Sequence, residues 1–181
     1  QARRLGPPGD AEAILLVNGD VLFAPDFAAV LAHHRALGAL ATMVLREDPR
    51  ADALGPIDVD ASGRVRRILR APGAGSADWT TCMFTGVHVL SGRAVALLPE
   101  EGCIVRRGYA RWLEDAETVG AVVDPAPFRD CGTPAELLGA MDDVLGGRIA
   151  VPGVVPPPSG SLVDARARVE GADLVRSCVG A

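Results

Sequence analysis

Lysine is absent from this chain: all 18 cationic residues are arginine, set against 23 Asp and Glu for a formal net charge of −5. No P-loop lysine, Schiff-base lysine or lysine general base is therefore available. The acidic balance makes a nucleic-acid backbone a poor partner. No apolar run approaches the roughly 18 residues that cross a bilayer. The opening QARRLGPPGDAEA lacks the apolar core of a signal peptide. These absences point to a cytoplasmic protein without nucleic-acid or membrane partners. Cysteine offers no framework either. Cys82, Cys103, Cys131 and Cys178 are scattered, with no pair at the spacing of a zinc knuckle or a redox dithiol. What is present suits a globular domain: 181 residues, 49% hydrophobic and 23% charged, support one solid core plus a small appendage. The chain begins at Gln1 rather than Met, which leaves a processed chain or a fragment open.

Residues 13–17, AILLV, form a short apolar run that ends at Asn18-Gly19-Asp20, a buried strand running into a loop. Phe27, Val30, Leu31, His34 and Leu37 follow at helical spacing, with Asp26 as N-cap and Gly38 as stop. Residues 39–45, ALATMVL, make a second buried strand, so the order is strand, helix, strand, the pattern of a parallel sheet. PIDVD and RVRRIL flank Ala61-Ser62-Gly63 as a hairpin. MFTGVHVL at 83–90 is a strand whose interior Gly86 marks a bulge or a close backbone approach. Short helices are expected around 92–98 and 108–116, and a further strand at 119–124. Thr133-Pro134-Ala135-Glu136 reads as a helix start, with Thr as N-cap, Pro in the first position and Glu closing a capping box. The helix stops at Gly146-Gly147.

Domain organisation follows composition. Residues 1–148 form an α/β domain with a mostly parallel sheet flanked by helices, 149–160 a proline-rich linker, and 161–181 a separate piece. In that last piece Val163, Val169 and Val175 recur every six residues, with Ala167 and Val179 at a fixed offset. This is about one coil of a hexapeptide β-helix, whose valines should point inward, with an ordinary strand pair or a disordered tail as the alternative.

Two aspartates stand where chemistry is expected. Asp20 follows a buried strand directly, and Asp130 lies just before the capped helix. Ligands of open α/β sheets bind at the carboxyl ends of strands. Two carboxylates there suffice for one Mg²⁺ that also keeps water and substrate phosphates. Each aspartate is equally suited to forming a turn. Asn18, the only asparagine, has an amide that both donates and accepts, which fits a sugar hydroxyl or a base edge, or closes an Asx turn. His33, His34 and His88 form no nucleophile set with Ser or Cys; packing accounts for them.

The ordered pieces LLVNGDVLFAPDFAAVLAHHRALGALATMVL, VDASGRVRRIL, FTGVHVLS and FRDCGTPAELLGAMDDVLGG together resemble bacterial sugar-phosphate nucleotidyltransferases. The likeness is to the mannose-1-phosphate guanylyltransferase-like and N-acetylmuramate-phosphate uridylyltransferase-like kinds. It covers roughly residues 12–148. The resemblance implies a Rossmann-like domain of glycosyltransferase-A type, followed in several members by a left-handed β-helix. It implies the reaction of a nucleoside triphosphate with a sugar 1-phosphate to give an NDP-sugar and pyrophosphate, with Mg²⁺ as cofactor. Asp20 matches the first metal-binding aspartate, in a Gly-Asp signature, and Asp130 the second, in an Asp-x-Gly-Thr signature. Asn18 and Gly19, together with Thr85-Gly86 in the strand that lies against the sugar, are the substrate-binding candidates. No residue is assigned as a catalytic acid, base or nucleophile.

Two departures accompany the likeness. The family's opening Gly-rich loop and Lys-Pro motif have no match here, and its Glu-Lys-Pro motif is reduced to Arg70-Ala71-Pro72. An incomplete copy or a fragment is therefore expected, weakly active or inactive in isolation because a triphosphate needs preorganised donors. A non-catalytic regulatory or binding subunit on the same fold, and part of a β-helix acyltransferase, are the alternatives. The nucleotide base, the sugar and homo-oligomerisation stay open.

Overall fold

The computed structural model describes residues 13–69, 76–151, 154 and 160–180. The leading residues, Arg70-Ala71-Pro72 and most of the proline-rich linker lie outside the described residues. In chain order the elements are β1 (Ala13–Val17), β2 (Val21–Phe23), α1 (Phe27–Leu37), β3 (Ala41–Arg46), α2 (Ala51–Leu54), β4 (Ile57–Val59) and β5 (Val65–Ile68). Then come β6 (Thr80–Ser91), α3 (Gly92–Ala96), a π-helical turn (Ile104–Tyr109), α4 (Ala110–Glu114) and β7 (Val119–Val123). Last are β8 (Phe128–Asp130), α5 (Pro134–Leu145), β9 (Leu162–Val163) and β10 (Cys178–Val179). The chain divides into two compact units. Described residues up to Gly19 and those from Pro25 to Pro125 form the first; Asp20–Ala24 and those from Ala126 onward form the second.

The first unit is a mixed α/β fold around one six-stranded sheet in the order β5-β4-β6-β3-β7, with β1 also paired to β6. The three apolar runs read from the sequence all lie in this sheet. All three run in the same direction, but the sheet as a whole is mixed rather than mostly parallel as expected. Only β3 and β7 pair in parallel. β6 runs antiparallel to β1, β3 and β4, and β4–β5 is an antiparallel hairpin. The reason is that β6, 12 residues long, inserts between β1 and β3. The β1–α1–β3 crossover therefore skips a strand. A continuous apolar run reports burial on both faces and carries no information on strand direction.

Both faces of β3 are buried, and side-chain alternation assigns them. Met43 and Leu45 enter a core with Tyr109 of the π-helical turn and Trp112 of α4. Thr42 faces α1, where its hydroxyl lies 2.9 Å from His34 Nδ1. Local capping is as the sequence indicates. Asp26 Oδ1 accepts from the Ala29 N–H at 3.0 Å, and Gly38 ends α1 at φ +55°. In the hairpin turn, Asp60 Oδ1 accepts from the Ser62 and Arg64 N–H groups, and Gly63 takes φ +71°.

In the second unit β2 and β8 pair antiparallel, joined by an edge contact between the Phe23 and Phe128 rings at 5.6 Å. Helix α5 follows at once. Its N-cap Thr133 accepts from the Glu136 N–H at 3.2 Å, with Pro134 in the first turn. The Glu136 carboxylate, expected to close a capping box, instead accepts from Arg129; a guanidinium is the stronger partner for a carboxylate. The tail corrects a second expectation. β9 and β10 make a two-residue parallel pair, and no β-helix is shown. Val163, Val169 and Val175 are 45%, 39% and 74% exposed rather than inward. Hexad valines are covered only by neighbouring coils, and the described residues supply none.

Candidate active site

The residues singled out by the sequence fall into two groups, each within one unit. In the first unit β1 ends at Asn18, whose backbone N–H donates to the Gly86 carbonyl at 2.9 Å. Gly86 sits at a bulge in β6, where the β3 register steps from Val44–Val87 to Leu45–Phe84. Its φ is +80°, a left-handed conformation that suits glycine. A Cβ there would meet Asn18 Nδ2 at 2.7 Å and Cγ at 2.8 Å. Both meanings of an interior glycine, bulge and close approach, apply at this position. Thr85 is buried beside this register step, and its hydroxyl donates to the Val44 carbonyl at 2.7 Å. Asn18 and Gly19 are exposed.

In the second unit β2 opens just after Asp20 and β8 closes with Asp130, and the ladder pairs Val21 with Asp130. The Cys131 N–H donates to the Asp20 carbonyl at 2.6 Å and extends that pairing by one bond. Asp130 Oδ1 accepts from the Gly132 N–H at 2.9 Å, an Asx turn. A Cβ on Gly132 would lie 3.0 Å from Asp130 Oδ1 and 3.8 Å from Asp20 Oδ2, so both carboxylates border the same small space. The Cys131 thiol feels them: burial, then the Asp130 and Asp20 charges, push it above the usual thiol range. Both aspartates are exposed.

This donor set fits Mg²⁺. It consists of hard oxygens from two carboxylates, open to water, and Mg²⁺ is commonly bound by one or two carboxylates plus substrate phosphates. No group of three or more His, Cys, Asp or Glu able to hold a metal occurs among the described residues.

Sequence inspection did not single out Arg129, which precedes Asp130 on β8. Its guanidinium donates from Nε to Asp143 at 2.6 Å and from Nη1 to Glu136 at 3.2 Å. Glu136 and Asp143 lie seven apart on one face of α5, a charge pattern beside a lone arginine that could have flagged the contact. The histidines are structural. His34 bonds Thr42, and His88 Nδ1 lies 2.7 Å from the buried Tyr109 hydroxyl. All four cysteines are free thiols.

With this geometry in place, the class is defined. The chain belongs to the nucleotidyl transferase family, which residues 7–145 match. It is 29% identical over 153 residues to the mannose-1-phosphate guanylyltransferase of Mycobacterium tuberculosis (strain ATCC 25618 / H37Rv). That match covers 82% of this chain and 40% of the relative, so the chain spans well under half of the curated protein it resembles. No described helix is long and apolar enough to cross a membrane.

Proposed function

We propose that this chain is a sugar-phosphate nucleotidyltransferase domain for NDP-sugar synthesis, with Asp20 and Asp130 as its Mg²⁺ ligands. The observation that carries this reading is the convergence of both carboxylates on one space beside Gly132, within the family-matched residues. The substrates are a nucleoside triphosphate and a sugar 1-phosphate, and the products an NDP-sugar and pyrophosphate. A sugar-phosphate oxygen attacks the α-phosphorus in line, without an enzyme-bound intermediate. Bound Mg²⁺ neutralises phosphate charge. The protein's own part is positioning. Asp20 and Asp130 hold the cation on a short ladder pinned by the Cys131–Asp20 bond. Asn18 presents an exposed amide, one donor group and one acceptor, to a sugar hydroxyl or a base edge. Gly86 lets Asn18 sit against β6 without a side chain between them.

The test is equilibrium binding of NDP-sugars with and without Mg²⁺, beside pyrophosphate release across a panel of nucleoside triphosphates and hexose 1-phosphates. The expected result is Mg²⁺-dependent binding that Asp20→Ala abolishes while the melting temperature holds, because Asp20 is exposed. Binding that ignores both Mg²⁺ and the substitution would overturn the reading.

A further inference from the structure

β8 has only three residues and one ladder partner. Successive side chains of a strand point to opposite faces, so Arg129 projects away from the side that carries Asp130. It reaches α5. Glu136, Gly139 and Asp143 recur there at spacings of three and four, on one helix face. The guanidinium lies over Gly139, where a Cβ would come within 3.4 Å of Nη1 and 3.5 Å of Cζ. From that bed Nε engages Asp143 at 2.6 Å and Nη1 engages Glu136 at 3.2 Å. Asp143 is only 7% exposed, and the Arg129 hydrogen bond, followed by that of Arg148, holds its carboxyl below the usual range. A fork that spans two carboxylates seven residues apart fixes both the distance and the rotation of its strand against the helix.

We propose that Arg129 is a positioning residue for the metal pair: by bracing β8 against α5 it holds the Asp130 carboxylate beside that of Asp20. This rests on the reading of Asp20 and Asp130 as a shared Mg²⁺ site. Arg129 touches neither metal nor substrate in this role. It acts through the backbone of the next residue, as groups that orient metal ligands do. Arg148 supplies the comparison. It also engages Asp143 and Asp142, but from beyond the end of α5 rather than from β8.

The experiment is titration of the 181-residue chain with Mn²⁺, read by electron paramagnetic resonance, beside thermal unfolding of each variant. Arg129→Ala should weaken Mn²⁺ binding about tenfold, the lower end for residues that orient a metal ligand. Arg129→Lys should recover only part, since an ammonium cannot fork between two carboxylates. Arg148→Ala should lower the melting temperature and leave Mn²⁺ affinity unchanged. Wild-type affinity in Arg129→Ala, or equal weakening in Arg129→Ala and Arg148→Ala, would overturn the positioning role alone. No Mn²⁺ binding by the wild-type chain would overturn the metal reading and this proposal with it.

Discussion

The Asn18 N–H and the Gly86 carbonyl are 2.9 Å apart, and the Asn18 side chain occupies the space where any other residue at 86 would place its Cβ. The loop that leaves β1 is thereby seated on the bulge of β6. The exposed amide of Asn18 owes its position to a missing side chain on another strand.

Gly86→Ala should therefore destabilise the fold by about 2–4 kcal/mol, combining a left-handed backbone with overpacking. Adding Asn18→Ala removes the two nearest atoms, at 2.7 and 2.8 Å, and should restore part of the loss while the backbone cost remains. Urea unfolding of the single and double variants measures both contributions. Equal stabilities would mean that the contact with Asn18 costs nothing.

Thr133→Ala should cost about 1 kcal/mol, because the Glu136 N–H loses its capping acceptor. Thr133→Ser should lie close to wild type. Thermal denaturation distinguishes the two, and an Ala variant as stable as the Ser variant would count against the cap.

His88 makes stability depend on pH. Burial lowers its pKa from 6.5 to about 4 in the fold. Between those values the unfolded chain binds a proton that the folded chain does not, so stability rises with pH. The contribution is complete above pH 6.5 and is lost as pH falls toward 4, by about 3 kcal/mol at most. His88→Gln removes this slope. Urea midpoints for wild type and variant should converge as the pH is lowered through that window. Curves that stay parallel would show that the folded protein accommodates a charged imidazole beside Tyr109.

The elements that local chemistry encodes were legible in the residues. The Asp26 and Thr133 caps, the Gly38 stop and the Ala61-Ser62-Gly63 turn each depend on atoms within a few positions of one another. The apolar runs at β3 and β7 are buried as expected, whereas β1, read as a buried strand in the same way, is only partly covered, with Leu15 and Val17 exposed. The candidate aspartates could be picked out for the same reason, since each stands where an apolar segment gives way to turn residues.

What the residues could not supply is everything set by a partner distant in the chain. The direction of β6 between β1 and β3 depends on which edges meet, and burial on both faces is the same for either direction. The reach of Arg129 to Asp143 across 14 positions exists only because β8 packs on α5. The valines at 163, 169 and 175 show the converse, a periodic signal without the neighbouring layer that would bury it. Composition and local spacing thus determined the elements, the caps and the candidate carboxylates of this protein. Strand order, the closeness of Asp20 to Asp130 and the brace behind them were decided by tertiary packing, because each is a contact between surfaces that only the folded chain brings together.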